Sequence, residues 1–375
     1  MAGSVHLYVP LYGPDNAQDH AAFWLPCLEI PIDRLADFSL KPYRWLCYAG
    51  HCIMGVEGSL SFSPTDLGGT DFDYDAPFES TLTCGLYFHP RGAIFPIDPD
   101  FEDGSSTAHS ENEASAFRTS MVERDGTCVV TDDPPLHCDA VYLIRHNKGS
   151  EYIERFTQRR GGDVITDIDD PRNGLLVNTS LQCDFSHSVA ILPTPNFIMT
   201  TSDVVPRTAP DDARWTVHDF AEPTARTAHL RAGILAGHAV RTPSTSQRGT
   251  WPPHCLFAAV YASALITTWP VEEFSTQVRS MWTDTFYPGG RKAISDPQKT
   301  ERKKKVEKSE LVNEQGDDFD VFDVLLMLRE MGAYNMARKP ISQPSSAQKT
   351  HEDARERVLP WLQSLHDSNT SSEHL

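Results

Sequence analysis

The sequence predicts an α+β protein, and three observations carry that expectation. A β-rich N-terminal region has short alternating runs broken by Gly and Pro. A central block has the order strand, strand, Asn-Gly turn, helix, and a mixed α/β C-terminal region holds two helical segments. The chain has 375 residues, enough for about two domains of ordinary size plus some disordered sequence. With 18 Phe, 11 Tyr and 7 Trp it has ample large side chains to fill a core, which excludes a wholly disordered acidic chain.

Residues 1–99 form the β-rich N-terminal region. Val56–Ser63 alternates Leu60 and Phe62 with serines, and Leu82–His89 is a second strand candidate. Trp45-Leu46-Cys47-Tyr48, free of proline, is a third. Residues 100–120 are an acidic, Ser-rich linker, in which the stretch from Asp100 to Ala116 has Phe101 as its single aromatic. Residues 121–205 are a block closed by Pro206 and the Pro/Asp-rich run after it. Residues 206–294 begin with a strand at Trp215–Phe220, followed by a Ser/Thr/Pro loop at 241–253. Two helices come next: Leu256–Thr267, nearly all apolar and so buried, and Val271–Trp282, with Phe274, Val278 and Trp282 on one face. Residues 295–375 are a charged tail. It holds the basic run Arg302–Lys305, read as a solvated linker or a nuclear-import signal, and helix candidates at Asp317–Met331 and around Trp361, the latter interrupted by Pro360. The tail helices offer a docking surface for a protein partner or for the body of the chain.

Charge is placed unevenly. Residues 1–120 carry 5 basic and 17 acidic side chains, residues 121–205 carry 7 and 13, and residues 206–294 carry 9 and 7, within a total of -19. No segment is a basic platform, which argues against tight non-specific binding to nucleic acid, an affinity that comes from Lys and Arg displacing counterions. The most apolar stretch, Cys255–Ile266, is broken by Ser263 and falls short of the ~20 residues that span a bilayer. The first residues lack both a basic segment and an apolar run, so no membrane span and no secretory signal are expected. An intracellular location, cytoplasmic or nuclear, is.

Eight cysteines stand singly, without a C-x-x-C pair, and read as free thiols; a structural zinc on Cys128 and Cys138 would have only two sulfurs, since no second pair follows, and buried free cysteines are the favoured reading. The sequons at Asn178 and Asn369 carry no weight. The phosphate-loop, nucleophile-elbow, zinc-helix and dinucleotide fingerprints are all missing from the sequence.

The chemistry lies in residues 121–205. There Cys128-Val-Val-Thr131 and Cys138-Asp-Ala140 with Leu143-Ile144 read as two short strands around a Pro-rich turn, the second running on through Lys148-Gly-Ser-Glu-Tyr-Ile153. After an insertion, Asp170-Pro-Arg-Asn173-Gly-Leu-Leu176 with Asn178 reads as a turn into a helix, and Thr194-Pro-Asn-Phe197 follows. This series, in this order over roughly 80 residues, resembles the HNH nuclease family, in particular the HNH-containing proteins common in fungi. The resemblance implies a ββα-metal (HNH-like) module and metal-dependent endonucleolytic hydrolysis of nucleic acid. In that family the first His is the general base on the attacking water, the Asn orients it, and the last His, on the helix, helps hold a divalent metal. Phosphodiester hydrolysis near neutral pH needs both a proton acceptor and charge neutralisation at the phosphate.

By this resemblance the first His position is Tyr142, the last is Gln182, and the Asn is Asn173. A Tyr, with a reference pKa of ~10, is a poor base at neutral pH, and a Gln carbonyl is a weak, uncharged ligand. Cleavage is therefore expected to be weakened or lost. Compensating ligands are sought in Cys183, Asp184, His187 and His146, and the metal, if one is used, is Mg, Mn, Ni or Zn. Asn173 has two readings side by side, a part in the chemistry and a residue of the Asn-Gly turn alone. Three functions compete: a metal-dependent endonuclease, a non-catalytic pseudonuclease that binds nucleic acid or protein, and a structural block packed against its flanks.

Overall fold

Alternation builds the first sheet. In β1 (Ser4–Leu11), Val5, Leu7, Val9 and Leu11 are wholly buried while His6 and Tyr8 lie on the other face. β1 pairs antiparallel with β2 (Phe23–Pro31), with a register irregularity at Leu7/Tyr8, and parallel with β4 (Cys84–Pro90). β3 (Gly58–Ser61) closes the other edge antiparallel to β4, giving the order β2-β1-β4-β3. The expectations at Val56–Ser63 and Leu82–His89 correspond to β3 and β4. The protein is seen here as a computed structural model that describes residues 3–11, 23–66, 72–78, 82–102, 111–182, 184–221, 238–242 and 249–281. The basic run and the two helix candidates of the tail lie outside these residues.

Trp45–Tyr48, expected as a strand, is the middle of α1 (Pro42–Met54). Pro42 takes the first helical position, where a missing N–H costs nothing, and Gly55 ends the helix in the left-handed region at φ 71°. α1 is buried almost all round, from Tyr43 to Met54, so a four-residue apolar window of it has no polar face to betray a helix. It packs between the sheet and α5 (His254–Thr268), the apolar helix expected at 256–267. There Nε1 of Trp45 donates to the Tyr261 hydroxyl at 2.6 Å, and that hydroxyl bonds Nδ1 of His218 at 2.8 Å. β7 (Val189–Thr194) and β8 (Arg214–Asp219) form a second antiparallel ribbon against α5, and β8 is the strand expected at Trp215–Phe220. The helix expected at 271–282 is α6 (Glu272–Met281), with Phe274 and Val278 buried; Trp282 lies outside the described residues.

The central block departs from expectation in four places. Helix α2 (Glu111–Asp125) occupies much of the expected linker, because Phe117 and Met121, one turn apart, are buried against the strands beneath them. Cys128–Thr131 is a turn rather than a strand: the Cys128 sulfur accepts the N–H of Val130 and Thr131, and Asp132 sits at φ 59°. Ser150–Arg159 is a helix, α3, with Ile153 and Phe156 on its buried face. The Asn-Gly turn leads into a strand, β6 (Gly174–Asn178), which pairs antiparallel with β5 (Cys138–Tyr142), and only then into the short helix α4 (Thr179–Gln182). No helix among the described residues is long and apolar enough to cross a membrane.

Candidate functional site

The order β5, β6, α4 sets the frame. Tyr142 ends β5 opposite Gly174 in register, so the residue before Gly174, Asn173, comes close to the same end of the ribbon. Gly174 has no side chain for a physical reason: a Cβ there would fall 2.4 Å from the Phe117 ring and 3.1 Å from the Met121 sulfur.

A buried ion pair locks this end. Arg124 and Asp125, at the end of α2, bond through Nε–Oδ1 at 2.7 Å, with side chains only 4% and 1% exposed. Arg124 also donates to the carbonyls of Pro171, Gly174 and Thr250, and Asp125 accepts the Leu176 N–H at 2.9 Å. All five N–H groups of Arg124 thus find acceptors, two on Asp125 and three on backbone carbonyls, the condition under which a buried ion pair is tolerated. The Arg124 guanidinium also lies 5.3 Å from the centre of the Trp251 ring.

Asn173 is wholly buried. Its amide nitrogen donates to the carbonyls of Ile144 (2.8 Å) and Ile168 (2.9 Å), and its side-chain oxygen accepts the Ile144 N–H at 2.8 Å. Both amide protons are therefore spent on backbone, and the side chain staples the residues after β5 to those before β6. Asp170 shapes the turn itself, accepting from the Arg172 N–H and guanidinium; these bonds outweigh its burial and hold its carboxyl below the usual range.

Tyr142 is fixed on two sides. Its ring stacks on Phe117 with centroids 3.8 Å apart and planes within 5°, and its hydroxyl donates to Asp169 Oδ1 at 2.6 Å. The same oxygen lies 3.7 Å from Nε2 of His146, whose ring is 5.7 Å from that of Tyr142. So Tyr142 and His146 do come together, around Asp169 and with Phe117, members that sequence reasoning missed, while the Asn173 side chain turns to the backbone of Ile144 and Ile168 instead. The signal for Asp169 was the acidic run Asp167-Ile-Asp-Asp170 before the turn; nothing local marks Phe117.

Gln182 ends α4 and is exposed, while Leu181 before it anchors the helix. Asn178 caps that helix, accepting from the Ser180 N–H at 2.8 Å and donating to Asp133 at 2.7 Å. Asp184 and exposed His187 lie in the turn that follows, where the Asp184 carbonyl gathers the N–H groups of His187, Ser188 and Val189. Cys183 lies outside the described residues. Among the described residues, no three His, Cys, Asp or Glu side chains come together as a metal-holding group.

Burial pushes the Cys138 thiol up to about 11, and its S–H points at the carbonyls of Asp133 and Pro134. Cys128 takes a third N–H, from Asn178, at 3.1 Å. Both sulfurs are thereby bonded to backbone and hold the turn onto β5 and β6.

No family model, no curated protein and no solved structure matches the chain.

Proposed function

We propose that residues 121–205 are an HNH-type ββα module whose phosphodiester-cleaving chemistry has been weakened or lost. The observation that carries the reading is the state of Tyr142 at the end of the first strand. A general base there needs a free lone pair aimed at water; instead a phenol donates its proton to Asp169 at 2.6 Å while Phe117 covers its ring at 3.8 Å. Two further features support it. The chain order strand, turn with Asn173, strand, helix is the order such a module requires, and Gln182 stands exposed on the helix where a metal-holding imidazole belongs. Losing a general base costs typically ~10²- to 10⁴-fold in rate, and losing the metal removes most of the rest.

The test is cleavage of supercoiled plasmid and of single-stranded DNA and RNA by the full chain with Mg²⁺, Mn²⁺, Ni²⁺ or Zn²⁺. The wild-type chain is expected not to cut. The double variant Tyr142→His/Gln182→His is expected to gain metal-dependent nicking. Metal-dependent cutting by the wild-type chain that survives in Asn173→Ala places catalysis elsewhere; a folded double variant that is inert with every metal overturns the HNH-type assignment.

A further inference from the structure

A second site lies outside the ββα block. The end of α1, the residues after α3, the Thr194–Phe197 loop and the first turn of α5 enclose a cavity of about 290 Å³. That is close to the ~300 Å³ at which pockets for small organic ligands begin. We propose that this cavity binds a small planar organic anion that also carries a hydrogen-bond donor, of the hydroxy-substituted aromatic carboxylate class.

Charge comes first. Arg160 forms part of the wall and is held there by the carbonyls of Cys52 (2.6 Å), Ile53 (3.2 Å) and Phe95 (2.9 Å). These bonds fix its position, so its contribution to a ligand is positive potential rather than a hydrogen-bonding fork. That potential is felt inside: burial and then the Arg160 charge push the His51 imidazole down to about 4, and at Cys255, whose thiol burial raises to about 11, the Arg160 charge opposes that rise while the smaller effect of Asp163 adds to it. The first turn of α5, with His254, Cys255 and Ala258 on the cavity, presents the positive end of a 15-residue helix with no side-chain cap from Pro253. Glu57, the one carboxylate lining the cavity among the described residues, is exposed and so screened by water.

The ring and the donor follow from the other lining residues. Phe197 and Tyr48 offer aromatic surface, their centroids 5.0 Å and 5.9 Å from that of His51. His51 has a buried Nδ1 with no hydrogen-bond partner, and the Nε2–H tautomer leaves that nitrogen unprotonated. As a neutral imidazole it offers a lone pair there, which a ligand hydroxyl satisfies. Small residues keep the space open: a Cβ at Gly162 would fall 2.5 Å from the Cys255 sulfur, and Ala258 occupies the helix face that a longer side chain would push into the cavity.

Calorimetric titration of the full chain tests this with 4-hydroxybenzoate, benzoate, phenol and acetate. Saturable one-to-one binding of 4-hydroxybenzoate is expected, with benzoate about tenfold weaker for want of one hydrogen bond and phenol and acetate weaker again. Ala258→Leu is expected to abolish binding by filling the space and Phe197→Ala to weaken it about tenfold. Ala258 lies in the core, so the part-exposed Phe197→Ala decides if the first variant fails to fold. Absence of saturable binding at millimolar 4-hydroxybenzoate overturns the proposal, as does phenol binding as well as 4-hydroxybenzoate or affinity unchanged in the folded variants.

Discussion

The sheet of β1 to β4 with α1 and α5, and the block around β5 and β6, solve the same problem by different means. The first has enough apolar surface to be held by packing: Phe38, Trp45, Phe220, Tyr261 and Trp269 meet ring to ring at centroid distances of 4.9–6.3 Å. The second is a ribbon of two five-residue strands, too small to be stable alone, and its register is set by buried polar groups instead. Arg124, Asp125 and Asn173 each bond backbone 29 or more residues away in sequence. Packing tolerates changes of shape that keep volume, whereas a satisfied polar staple fails when one partner is removed.

The largest expected effect follows directly. Asp125→Ala leaves the Arg124 guanidinium and the Leu176 N–H buried without their acceptor, and a loss of about 3–5 kcal/mol is expected in urea unfolding. Tyr261→Phe, the matched change in the packed region, removes only the hydroxyl shared by Trp45 and His218, with an expected loss of about 1–3 kcal/mol. Equal losses from the two variants would erase the distinction between the regions.

The next effect separates the regions by pH. Burial pushes His218 down to about 3, and burial with the Arg160 charge pushes His51 down to about 4, against 6.5 for the exposed group. Both belong to the packed region. Because the unfolded chain binds the extra protons, the stability they contribute is full above pH 6.5 and falls as pH drops toward 4 and then 3. The slope approaches about 1.4 kcal/mol per pH unit for each histidine. The lowered carboxyls of Asp133 and Asp170 in the block lose their contribution only as pH falls through the ordinary carboxylate range, which leaves the window from pH 6.5 to 5 to the histidines, His89 and His254 being lowered in the same direction. Urea midpoints between pH 7 and 5 are expected to fall for the wild type and to fall less for His218→Gln; parallel curves would remove His218 from the account.

What the sequence made legible follows the same division. β4 announces itself by its apolar residues and α5 by an apolar run too long for a strand, whereas β3 is buried at all four positions and Phe62 beyond it is exposed, so the Leu60/Phe62 alternation does not match a buried face. α1 hides its period by being buried all round. Cys128–Thr131 has the β-branched composition of a strand but loses its N–H groups to a sulfur. In the candidate site, Tyr142 and Asn173 were singled out only by the resemblance to the HNH family, and the Asn-Gly pair announced the turn. Asp169 and Phe117 were not, since a partner 27 residues away or on another helix is chosen by the folded register rather than by any local pattern.

The smallest effect sharpens the reading of Tyr142 itself. Tyr142→Phe keeps the ring on Phe117 and removes only the bond to Asp169, a part-buried group that water can reach, so the expected cost is about 0.5–1.5 kcal/mol. Phe117→Ala removes the buried ring that fills the space beside Gly174, and about 3–5 kcal/mol is expected. If that order holds, Tyr142 is placed by its neighbour on α2, and the hydroxyl is an accessory to a position already set by stacking. A His at 142 would then inherit a fixed place beside Asp169, which is the arrangement the proposed nuclease reading needs of a general base there. If Tyr142→Phe costs as much as Phe117→Ala, the carboxylate does the positioning, and a histidine there has to satisfy Asp169 through a ring nitrogen before it can accept a proton from water.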